Sequence, residues 1–71
     1  MDAILCYAFR ELSGSLEIAS VGETPAVVRE RMLKDCLGWR YKYPDRYDHD
    51  DEWTEILKSG EVVRVSVSVV E

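Results

Sequence analysis

The sequence predicts an α+β domain of order β-β-α-α-β. The expected architecture is a three-stranded, mainly antiparallel sheet with one longer and one short helix on one face. Three observations point there. Strand-like and helix-like segments are segregated along the chain rather than alternating, which disfavours a parallel sheet. Two central stretches space their apolar residues as helices do. The C-terminal residues alternate with period two and are rich in β-branched side chains. A chain of 71 residues makes a single domain, 1–71, with a thin stability margin.

Residues 3–11 form the first strand candidate. Ala3, Leu5, Tyr7 and Phe9 share one face, and Ile4, Cys6, Ala8 and Arg10 share the other. Two largely apolar faces suit the middle of a sheet. The larger groups are expected to meet the helices. Ser13-Gly14-Ser15 is a turn signal, and Leu16 to Val21 returns as a second strand.

Gly22-Glu23-Thr24-Pro25 is the sharpest punctuation in the chain. Thr24 suits an N-cap because its hydroxyl can accept an unpaired backbone N–H. Pro25 suits the first helical position, where a missing donor costs nothing. The helix is expected to run to Leu37, with Val28, Met32, Leu33, Cys36 and Leu37 as its apolar stripe and Gly38 as its C-terminal stop. Tyr43-Pro44-Asp45 then reads as a turn. A shorter helix follows from about Asp48, presenting Trp53, Ile56 and Leu57 on one face. In the last stretch, 61–71, Val63, Val65, Val67 and Val69 point one way, and Arg64, Ser66 and Ser68 the other. This strand is expected beside the first, with its direction open. If the helices cover Leu5, Tyr7, Phe9 and this valine row, then Ile4, Cys6, Ala8, Ala19, Val21, Val62 and Val70 are left on the far face. That face and the valine edge are candidates for homodimerisation.

Composition narrows the function classes. A net charge of −5 disfavours a general nucleic-acid binder and an anionic membrane surface. No apolar run approaches the ~18 residues of a membrane span. The Met-Asp start is unlike a secretory leader. Cys6 and Cys36 have no ligand spacing and read as two packed thiols of a reducing, cytoplasmic protein.

The stretch from Trp39 to Trp53 concentrates what chemistry there is. It holds both tryptophans, three tyrosines and the single histidine, with three basic and five acidic residues. Asp48-His49-Asp50-Asp51-Glu52 resembles a metal-ligand run, and a small metal site on Asp45, Asp48, His49 and Glu52 is one reading. Acidic groups at a helix start are more simply explained as caps and dipole partners, with Asp48 or Asp50 as the N-cap. No cofactor and no catalytic residue is assigned: a lone histidine without triad spacing and a domain with little room for a ~300 Å³ pocket argue against an enzyme. Arg40, Lys42 and Arg46 interleave with Tyr41, Tyr43 and Tyr47 as in a single-strand stacking platform, so direct nucleic-acid binding through 40–47 is the alternative. Against it, Trp39 and Trp53 are expected to pack beneath the helices while Arg40 and Arg46 pair with nearby carboxylates.

The preferred expectation is a non-enzymatic protein-interaction module. Tyr41, Tyr43, Asp45, Arg46, Tyr47, Asp48, Asp50, Asp51 and Glu52 would contact a protein partner with a basic surface. In size and charge, and in no motif, the chain looks like small phage proteins that block host defence nucleases, anti-CRISPR proteins among them. That resemblance implies an inhibitor or nucleic-acid-mimicking decoy of a basic nucleic-acid-handling protein.

Overall fold

The computed structural model describes residues 3–68. It has the order β1 (Ala3–Glu11), β2 (Leu16–Gly22), α1 (Pro25–Leu37), a 3-10 turn (Gly38–Lys42), α2 (His49–Leu57) and β3 (Gly60–Ser68). The three strands form one sheet in the order β2-β1-β3. Both neighbours of β1 are antiparallel to it, which settles the direction of β3. Val69, Val70 and Glu71, expected in the last strand, lie outside the described residues.

The β1–β2 turn closes with the Glu11 N–H on the Ser15 carbonyl at 2.8 Å, and Gly14 takes a φ of 97° that favours glycine. The hairpin is not regular. Tyr7 pairs with Gly22 and Phe9 with Glu17, so β2 takes five steps where β1 takes two. The extra length bulges out, leaving Ile18 and Ala19 exposed. Ser20 turns inward and is 1% exposed. Its hydroxyl accepts the Phe9 N–H at 2.9 Å and donates to the Glu17 carbonyl at 2.6 Å. A side-chain oxygen thereby replaces a ladder carbonyl, and no buried side-chain polar atom among the described residues lacks a partner.

Helix α1 begins as the sequence predicts. Thr24 accepts the Val27 N–H at 3.2 Å, with Pro25 in the first turn. Gly38 ends it at φ 57° and donates its N–H to the Lys34 carbonyl. Val28, Met32, Leu33 and Leu37 are its buried residues. Cys36 is exposed, a correction to the expected stripe: the helix turns it to the rim beside Asp35. In α2, Ile56 is buried and Trp53 half-buried, whereas Leu57, expected beside them, is exposed.

The core consists of Phe9, Val28, Met32, Leu33, Leu37 and Ile56, with Tyr7, Tyr41, Tyr47, Trp53 and Val62 packed around it. The β1–β3 register corrects the expected faces. Phe9 lies opposite Val62, Tyr7 opposite Arg64 and Leu5 opposite Ser66. Residues opposite one another share a face, so Val62 joins the helix-covered side. Val63 and Val65 lie opposite Ala8 and Cys6 on the far side, and Val67 falls on the same side of β3. The alternation within β1 and β3 was read correctly, but alternation alone does not say which set faces the helices.

Gly60 makes the junction of α2 and β3 possible. A Cβ there would stand 2.2 Å from the Arg10 carbonyl and 2.7 Å from the Phe9 ring. Only a residue without a side chain lets β3 start this close to β1.

Candidate functional site

The site is built where α1 stops. Carbonyls at a helix end lack intrahelical donors, and Arg40 supplies them: its Nε donates to Leu37 at 3.2 Å and its Nη2 to Cys36 at 3.1 Å. This fixes the 3-10 turn against α1. A second turn follows, in which the N–H groups of Arg46 and Tyr47 both donate to the Tyr43 carbonyl, at 3.1 and 3.0 Å. The two turns split the aromatics into an inner and an outer set.

Tyr41 belongs to the inner set. Its ring stacks on His49 at 4.4 Å between centroids, its hydroxyl donates to Glu30 at 3.3 Å, and Lys34 lies over it at 5.5 Å. Lys34 also holds the Glu30 carboxyl below its ordinary range, with Tyr41 adding to the effect. Tyr41 is thus a half-buried brace between α1 and α2, and with Arg29, Glu30 and His49 it lines a shallow concavity of about 200 Å³.

Trp39 and Tyr43 form the outer set and rest on Tyr47. The Trp39 ring meets Tyr43 edge-on at 6.1 Å and Tyr47 edge-on at 5.8 Å, and the Arg40 guanidinium lies 5.6 Å from the Tyr47 ring centre. Tyr47 packs against the core, whereas Trp39 remains 67% exposed and Tyr43 54% exposed. This corrects the expectation that both tryptophans pack beneath the helices. Trp53 does so, with its ring 6.2 Å from Phe9. Trp39 follows Gly38, whose backbone carries the chain off the α1 stripe, and that position was the one signal of its exposure. The expected pairing of Arg40 and Arg46 with carboxylates is also corrected. Arg40 is held by carbonyls, and Arg46 makes no ion pair among the described residues.

The acidic run divides in the same way. Asp48 is the N-cap of α2, with Oδ1 accepting the N–H groups of Asp50 and Asp51 at 2.8 and 3.0 Å. Asp50 pairs with Arg29 of α1. Asp45 and Asp51 are exposed and Glu52 is half-buried, and none of the three forms an ion pair among the described residues. The ring of His49 is occupied by Tyr41, whose carbonyl lies 2.9 Å from Nε2. Among the described residues no three His, Cys, Asp or Glu side chains form a metal-holding group.

A shallow depression of about 340 Å³ is lined by Cys6, Val21, Gly22, Glu23, Val27 and Arg31, larger than a chain of this size was expected to offer. Arg31 closes one side of it by donating to the Val21 carbonyl at 2.7 Å. The Cys36 thiol is pushed above its ordinary range by partial burial and by Asp35, Glu52 and Glu17, opposite to what a nucleophile needs. No helix among the described residues is long and apolar enough to cross a membrane. No protein-family model matches the chain, and comparison with curated proteins and with solved structures finds no match.

Proposed function

We propose that the chain is a non-enzymatic protein-interaction module whose anchor is the outer aromatic set, Trp39 and Tyr43 on Tyr47. The observation that carries this reading is the exposure of Trp39 on a braced platform. Exposed aromatic side chains with little freedom left to lose are what interface hot spots require. Asp45, two residues after Tyr43, and Asp51 and Glu52 in the first turn of α2 make no ion pair among the described residues and would steer the module toward a protein with a basic surface, such as one that handles nucleic acid. Asp48 and Asp50 are assigned to the fold rather than to the contact. Two free cysteines suit a reducing compartment.

Affinity capture from nuclease-treated lysate tests this, with three baits: the native chain, Trp39→Ala, and Asp45→Asn/Asp51→Asn/Glu52→Gln. A basic protein retained by the native chain, lost from the Trp39 variant and released early in salt from the acid variant is the expected result. Equal retention by all three baits would remove the aromatic platform from the contact.

One observation favours a second reading. Lys42 and Arg46 are exposed beside Trp39 and Tyr43 and make no ion pair among the described residues, the composition of a stacking platform for single-stranded nucleic acid. Titration of the Trp53→Phe chain with single-stranded oligonucleotides, followed by Trp39 fluorescence, distinguishes the two. Quenching that vanishes with added salt supports nucleic acid, and an unchanged spectrum supports the protein partner.

A further inference from the structure

We infer that β3 is a self-pairing edge, joining two copies of the chain into a continuous six-stranded sheet. The two edges of the sheet are treated differently. β2 is broken by its bulge, packs beside α1 and is capped at Val21 by Arg31 of that helix. These are the usual devices that blunt an edge. β3 has none of them. Its pairing with β1 runs from Gly60 to Ser68 without irregularity. Among the described residues no hydrogen bond reaches its outer backbone groups.

The sequence of β3 favours itself as the occupant. Two copies of a strand related by a twofold axis pair antiparallel, and opposite residues must share a face. An axis through Arg64 would set two arginines against each other. An axis through Val63 would set Val65 against Glu61. An axis through Val65 sets Val65 on itself, Val63 on Val67 and Arg64 on Ser66. This register keeps the valines of the far face in one cross-strand row and separates the arginines. Glu61 stays paired with its own Arg10 at 2.6 Å. The seven paired residues fall short of the roughly 1,000 Å² of a stable interface, so association is concentration-dependent. The dimer would carry two aromatic platforms, both on the helix-covered side.

Ser66 tests the register because it is exposed and faces Leu5 within its own chain. Sedimentation equilibrium over a concentration series is measured for the native chain, Ser66→Glu and Ser66→Arg, with unfolding midpoints recorded to show that each variant folds. Ser66→Glu places a carboxylate opposite the partner's Arg64 twice per dimer and is expected to tighten dimerisation by roughly two- to thirty-fold. Ser66→Arg is expected to weaken it by a similar factor. A single-chain mass for all three at every concentration overturns the proposal and leaves β3 open to a strand from another protein. One dimer constant common to all three also overturns it, placing the contact on another surface.

Discussion

The Ser20 hydroxyl stands in for a strand carbonyl, accepting the backbone N–H of Phe9 at 2.9 Å inside a β-bulge. Phe9 is the largest fully buried side chain among the described residues, so this bond fixes the backbone beneath the centre of the core. Replacing Ser20 with alanine leaves a buried N–H without an acceptor. The expected loss is ~1–3 kcal/mol, read by chemical denaturation. Ser20→Thr keeps the oxygen and is expected to recover part of it.

Gly60 is expected to tolerate no side chain. In Gly60→Ala the new methyl meets the Arg10 carbonyl, a backbone atom that cannot swing away. Overpacking of this kind costs ~1–3 kcal/mol. Gly14→Ala also loses stability, for a different reason: its space is open and only its φ of 97° resists a side chain. A thermal melt of both variants checks the pair.

Asp48 and Asp50 are neighbours with separate structural duties. Asp48→Ala removes the α2 cap and is expected to cost ~0.5–2 kcal/mol, while Asp48→Asn, still an acceptor, loses little. Asp50→Asn breaks an exposed pair with Arg29 and is expected to cost less than ~1 kcal/mol, an effect that salt erases. Denaturation at low and high salt separates the two residues.

Glu17 supplies the pH dependence. Hydrogen bonding and charge from Glu11 raise its pKa, with a smaller contribution from Asp35. A carboxyl whose folded pKa is raised binds its proton more readily in the folded state. Its stabilising effect is therefore fully present below its unfolded pKa, about 4.3, and is lost as pH rises through the raised folded value. Glu17→Gln is accordingly expected to be more stable than the native chain at neutral pH and to lose that advantage in acid. Unfolding midpoints across that range provide the measurement.

The element order was legible because each boundary carried local chemistry: Gly14 in the turn, Thr24 and Pro25 at the start of α1, Gly38 at its end, Asp48 before α2. The central place of β1 followed from its two apolar faces. What the residues did not reveal depends on long-range register. The bulge that buries Ser20 shifts β2 against β1, and serine among apolar residues gives no sign of it. The assignment of Val62, rather than Val63, to the core depends on which residue lies opposite Phe9. At the candidate site, the acids of α2 were readable as caps. The different fates of Trp39 and Trp53 were marked only by Gly38 before Trp39, because an aromatic side chain suits either a core or a contact.

The proposed anchor depends on Trp39 being exposed while Trp53 is packed, a difference that collisional quenching measures. Trp53→Phe leaves Trp39 as the sole emitter, and Trp39→Phe leaves Trp53. Red-shifted, readily quenched emission is expected from Trp39 and blue-shifted, protected emission from Trp53. Protected emission from Trp39 in the folded chain would place it in the core and contradict the proposed anchor.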